Sequence, residues 1–129
     1  MIVLDENVFE SQCLQLRSWR VHLCQIGYDL GRKGMADDEI MALLGTVRRP
    51  SFFTRDRDFF KKTLCRDKLC LAFLDVRPLE VAKYVRRLLR HPDFKTWSQR
   101  RGCVARVTAS GISVWRAHVA RLTRHPWKS

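Results

Sequence analysis

A chain of 129 residues, 46% of them hydrophobic, is long enough to bury a core and too apolar for wholesale disorder. No apolar run reaches the roughly 18 residues of a membrane span, so a cytoplasmic protein without membrane contact is expected. The net charge of +12 is uneven: residues 76–129 carry 13 Lys and Arg against 2 acids, which points to a polyanionic partner, nucleic acid ahead of membrane.

Residues 1–5 are nearly all apolar, as a buried parallel strand requires, and Asp5 closes the run. With no basic stretch before it, the run reads as a first strand and not as a signal peptide. Val8 to Trp19 reads as an amphipathic helix, with Val8, Phe9, Cys13, Leu16 and Trp19 at helical intervals. Arg20 to Cys24 fits a short second strand, and the three glycines from Gly27 to Gly34 a loop. A helix then starts at Ala36-Asp37. Its apolar residues are Ile40, Met41, Leu43 and Leu44, and Asp37, Asp38 and Glu39 occupy the first turn, where the helix dipole favours acids.

Arg48-Arg49-Pro50 ends that helix, and Phe52-Phe53 supplies a third strand. Asp56 to Leu64 reads as a short helix or helical turn, and Leu69 to Val76 as the next strand. Pro78 opens a helix with Val81, Ala82, Val85, Leu88 and Leu89 on one face and Lys83, Arg86, Arg87 and Arg90 on the other. Residues 103–108 and 112–116 alternate around Ala109-Ser110-Gly111, the pattern of a hairpin, and a basic, partly mobile tail runs to Ser129. The alternation of strand and helix predicts one α/β domain over residues 1–129, with a mostly parallel sheet and a basic part from about residue 76.

Five cysteines with no CxxC spacing read as core thiols in a reducing compartment and not as a zinc site. His22 reads as buried in a strand, and His91, His118 and His125 as surface groups. Arg86, Arg87, Arg90, Lys95, Arg100, Arg101, Arg106 and Arg116 are candidates for an RNA track, with Trp97 and Trp115 as core residues or stacking platforms.

The acids are few, 13 in all, and six of them gather at three places: Asp5, Asp37-Asp38-Glu39, and Asp56 with Asp58. Each group sits beside an apolar element, where a carboxylate reaches the rim of an open α/β sheet. Several carboxylates together form a hard-oxygen site suited to Mg²⁺ or Mn²⁺, the ions that assist phosphodiester hydrolysis.

Met1-Ile2-Val3-Leu4-Asp5-Glu6-Asn7 resembles the opening strand of the PIN-domain ribonucleases. Asp37-Asp38-Glu39-Ile40 resembles their internal helix start, and Phe53-Thr54-Arg55-Asp56-Arg57-Asp58-Phe59 their T-x-D-x-D-F element. With Gly27-Tyr28-Asp29 between them, these segments look most like the short PIN-like branch related to VapC toxins. The likeness spans residues 1–75.

That resemblance implies a three-layer α/β/α fold and a Mg²⁺- or Mn²⁺-dependent endoribonuclease, often the toxin of a toxin–antitoxin pair. Asp5, Asp37 and Asp56 would be its metal ligands. Asp58 would be a further ligand or would hold a water at the ion, and Asp38 or Glu39 would serve if the helix register shifted. Longer PIN enzymes carry another acid before the internal helix; here only Glu6, Glu10 and Asp29 intervene. Arg55 and Arg57 lie beside the proposed ligands, placed to meet a scissile phosphate. Arg86, Arg87 and Arg90 would hold the RNA, and a small antitoxin would be the protein partner; a homodimer is compatible with the family. The alternatives are a catalytically inactive PIN-like nucleic-acid-binding protein and a receiver-like phosphorylation switch with Asp56 as acceptor.

Overall fold

The apolar run at the start of the chain forms strand β1 (Ile2–Leu4), and the elements that follow build outward from it in both directions. The computed structural model describes residues 1–127; Lys128 and Ser129, the end of the predicted tail, lie outside the described residues. After β1 come α1 (Glu10–Ser18), β2 (Leu23–Gln25), α2 (Asp37–Leu44), β3 (Ser51–Thr54), β4 (Cys70–Leu74), α3 (Val81–Arg90) and α4 (Trp97–Arg100). Strands β5 (Cys103–Thr108), β6 (Gly111–Arg116) and β7 (Thr123–His125) complete the order, with 3₁₀ turns at Arg57–Phe59, Lys62–Leu64 and Pro78–Glu80.

All seven strands join one sheet in the order β2-β1-β3-β4-β5-β6-β7. The first five pair in parallel and β6 pairs antiparallel with both β5 and β7, so the fold is three-layer α/β/α with a C-terminal hairpin. Side chains along the central strands alternate between two cores. Leu4, Phe53, Ala72 and Ala105 face α1 and α3, meeting Cys13, Leu16, Val85 and Leu88. Val3, Phe52, Leu71 and Val104 face α2, meeting Ile40 and Leu44. Both faces are covered, which is why these strands read as continuous apolar runs. Phe52 and Phe53 are fully buried on opposite faces, each contributing about 1.5–3 kcal/mol relative to exposure.

Buried polar groups lock the layers together. Gln12 of α1 accepts from the backbone N–H of Ala82 at 2.8 Å, satisfying a donor in the first turn of α3 that has no partner within the helix. Arg100 is buried, donating to Ser51 Oγ at 3.1 Å and to the Phe94 carbonyl at 2.9 Å. Neither side chain is exposed as a polar residue ordinarily would be.

Several local expectations change. The second strand begins at Leu23, leaving His22 exposed before it, whereas His91 is buried with its Nε2 2.8 Å from the Pro126 carbonyl oxygen. The basic tail carries a strand that the sequence does not announce. There β7 pairs with β6, and Trp127 Nε1 donates to the Thr108 carbonyl at 2.7 Å. Helix α4, absent from the sequence reading, is capped by Thr96, whose hydroxyl accepts from the Gln99 N–H at 3.3 Å.

Candidate metal centre

The order β2-β1-β3-β4 makes the chain leave the carboxyl ends of β1 and β3 in opposite directions. Adjacent parallel strands that diverge in this way open a crevice at their ends, the usual ligand position in open α/β sheets. Asp5 is the first residue beyond β1 and its N–H donates to the Phe53 carbonyl at 3.0 Å, so it is tied directly to β3. Thr54 is the last residue of β3. Its hydroxyl donates to Asp5 Oδ2 at 2.6 Å and accepts from the Asp56 N–H at 3.0 Å. Helix α2 approaches from the opposite layer and presents Asp37 from its first turn.

Asp37, Asp56 and Asp58 each offer a carboxylate oxygen, all within 4.8 Å of one another, and the trio reaches solvent. The Asp58 N–H donates to Asp56 Oδ1 at 2.9 Å, fixing the turn that brings both acids to the same side. Burial first, and then the negative charges of Asp56, Asp58 and Asp5, push the Asp37 carboxyl above its ordinary value; Lys61 opposes them. Asp5 is only 9% exposed. Burial raises its carboxyl as well, against the lowering effects of the Thr54 hydroxyl and the Glu6 N–H, while Asp56 adds to the rise. Four carboxylates from three separate segments therefore share one electrostatic field.

Three carboxylates at this spacing could hold a metal ion, and their oxygens suit a hard cation. The trio joins two of the expected ligands, Asp37 and Asp56, to Asp58, expected as a further ligand or as the holder of a water. Asp58 takes the third place beside Asp37 and Asp56, and Asp5 stands behind them with each oxygen already accepting one hydrogen bond. A carboxylate oxygen has a second lone pair, so those bonds leave Asp5 capacity toward the cleft it lines. That cleft, about 290 Å³, is bounded by Asp5, Asn7, Val8, Arg55 and Asp56.

No family model matches the chain, and no curated protein or solved structure matches it either.

Other predicted site residues divide sharply. Arg55 lines the cleft, its Nε donating to the Val76 carbonyl at 2.9 Å. Arg57 is exposed in the 3₁₀ turn between Asp56 and Asp58. The fallback acids serve other ends: Glu39 pairs with Arg32 and accepts from the Ala36 N–H at 3.1 Å, and Asp38 is not part of the trio. Of the three intervening acids, Glu6 accepts from the Gly34 N–H, Asp29 from the Gln25 N–H, and Glu10 begins α1.

Arg86, Arg87 and Arg90 lie on α3, in the layer opposite α2. Arg86 stacks 3.6 Å from the Trp19 ring and Arg87 4.2 Å from the Trp127 ring. Among the other candidates for an RNA track, Arg100 is buried, Arg101 and Arg106 pair with Asp67 and Asp75, and Arg116 donates to backbone carbonyls. Trp115 and Trp97 are both half-buried against the core.

The sequence reading missed Gln25. Its buried amide reaches the carbonyls of Asp5, Glu6 and Val8 at 3.2, 3.2 and 2.9 Å, shaping the turn that carries Asp5. No local pattern marks a glutamine for such a role.

Proposed function

We propose that the chain is a metal-dependent endoribonuclease of the PIN-like kind related to VapC toxins, acting as the toxin half of a toxin–antitoxin pair. One observation carries the reading. Asp5, Asp37 and Asp56 with Asp58, separated in sequence, converge where β1 and β3 diverge. The strongly basic second half of the chain adds an attraction for a polyanionic substrate.

In this reading Asp37, Asp56 and Asp58 would hold Mg²⁺ or Mn²⁺, with Asp5 adjoining them. When bound, the divalent cation supplies charge neutralisation at the phosphate and makes water more acidic. Arg55, anchored through Nε on the Val76 carbonyl, keeps its other guanidinium N–H groups for a phosphate oxygen at the cleft. Arg86, Arg87 and Arg90 would hold the RNA backbone farther away, the first two resting over tryptophan rings.

The deciding experiment incubates the purified protein with structured RNA in Mn²⁺, in Mg²⁺ and in EDTA, beside folded Asp5→Ala and Asp56→Ala variants. Cleavage that requires both the metal and the carboxylates is the expected result. Binding of RNA in EDTA and in Mn²⁺ alike, with no cleavage, is what an inactive PIN-like scaffold would give.

The strand order β2-β1-β3-β4-β5 also favours a receiver-like switch, which shares that order. Its weakness lies at the end of β5, where Val107-Thr108 turns into a hairpin and provides no lysine. Labelling of Asp56 by acetyl phosphate would select that reading over the nuclease.

A further inference from the structure

A roomier cleft, about 1010 Å³, opens at the other end of the sheet from the carboxylates. Its walls are the C-terminal end of α2 and the segments that lead into β3, β4 and β5. Met41, Leu44, Val47, Leu69 and Trp97 provide an apolar floor. Around it stand Arg48, Arg49, Arg66, Lys68 and Arg101, all exposed.

Little in the chain neutralises this rim. Arg101 pairs with Asp67 at 2.8 Å, and Arg66 donates to the carbonyls of Thr63 and Cys65 in its own loop. Among the described residues, no side-chain hydrogen bond or ion pair engages Arg48, Arg49 or Lys68. Three uncompensated cations beside an apolar trough call for an occupant that is both acidic and apolar.

The floor distinguishes between polyanions. Nucleobases are held by stacking on flat faces and by hydrogen bonds at their edges. Met41, Leu44, Val47 and Leu69 offer neither, and Trp97 is the one aromatic in the trough. Aliphatic side chains spaced along one face of a helix fit such a floor, as in helix-in-groove recognition.

We propose that this cleft docks an acidic, amphipathic helical segment of another protein. Its apolar residues seat on Met41, Val47 and Trp97, and its carboxylates meet Arg48, Arg49 and Lys68. The site is separate from the carboxylate trio and needs neither metal nor RNA, so it stands or falls independently of the nuclease reading.

The test selects peptides from a random displayed library on the intact protein in EDTA, then measures the binding of labelled winners by fluorescence anisotropy. Winners are expected to combine Asp and Glu with apolar residues at i, i+3 and i+4. The double variant R48E/K68E is expected to weaken them by about tenfold or more, since like charges then face each other across the rim. The double variant K83E/R121E makes the same change in net charge at exposed positions outside the cleft and is expected to leave binding unchanged. Equal loss in both variants, or in neither, overturns the proposal. A single-stranded oligoribonucleotide that displaces the winners and loses affinity in R48E/K68E overturns it in favour of a nucleic-acid channel. Self-association of the protein abolished by R48E/K68E overturns it in favour of a second copy as occupant.

Discussion

The Thr54 hydroxyl stands between two acids of the cleft, donating to Asp5 Oδ2 at 2.6 Å while accepting from the Asp56 N–H at 3.0 Å. One oxygen thus couples the end of β1 to the turn beyond β3. Thr54→Val removes both bonds and leaves a buried carboxylate with one donor fewer, a change that costs about 1–3 kcal/mol. Thr54→Ser keeps the hydroxyl and loses only a methyl group, about 0.8 kcal/mol. Urea unfolding in EDTA should therefore rank wild type above Ser and Ser above Val. A valine variant as stable as the serine variant would mean that the hydroxyl couples nothing.

Gln25 supports the same turn from below. Its amide group has two hydrogens for three carbonyls, and its Oε1 accepts from Cys13 Sγ at 3.3 Å. Gln25→Leu keeps much of the volume and strands those carbonyls, so a loss of about 2 kcal/mol or more is expected. Amide exchange at Val8, whose N–H donates to the Asp5 carbonyl at 3.2 Å, should quicken beyond the global change. Uniform acceleration across the chain would instead show that Gln25 contributes only to overall stability.

The parts of this arrangement that sequence reveals are those with a local signature. Alternation at Val3-Leu4 and Phe52-Phe53 marks strands covered on both faces, and an acid after each marks a sheet rim. The T-x-x-Q capping box at Thr96 to Gln99 is also a local signal, and it opens α4. Strand order has no such signature: nothing in residues 1–54 says that β3 returns beside β1, the pairing on which the crevice depends. For the same reason nothing local shows that Asp37 meets Asp56 and Asp58, or that Asp5 already accepts one hydrogen bond at each oxygen. Gln12, Gln25 and Arg100 were unreadable for a different cause. Polar residues default to the surface, and their burial becomes favourable only when distant carbonyls and N–H groups are brought to meet them.

Raised carboxyls at Asp5 and Asp37 fix the sign of a pH effect. The folded chain holds these protons more tightly than the unfolded chain does. Stability without metal must then fall as pH rises from the ordinary carboxylate range through the raised values. Asp5, being buried, supplies most of the slope, because solvent screens Asp37. Melting curves in EDTA at stepped pH should show the fall, and Asp5→Asn should flatten it. Mn²⁺ should reverse it by binding only the folded, ionised cluster. A slope unchanged in Asp5→Asn would place its origin elsewhere.

Mn²⁺ binding discriminates among the acids one at a time. Asp37→Asn, Asp56→Asn and Asp58→Asn each remove a carboxylate from the trio, while Asp38→Asn changes a neighbouring acid outside it. Loss of a group that merely supports a ligand lowers metal affinity by about 10–100-fold, so loss of a ligand should lower it at least that much. In titration calorimetry the first three variants should bind at least about tenfold more weakly than wild type, and Asp38→Asn nearly as well as wild type. Asp5→Asn is the informative intermediate. If its carboxylate only braces the site through Thr54, the neutral amide still accepts that hydroxyl and affinity falls less than for Asp56→Asn. If Asp5 turns its second lone pair to the ion, the two variants lose affinity equally, and the metal is held by four carboxylates and not three.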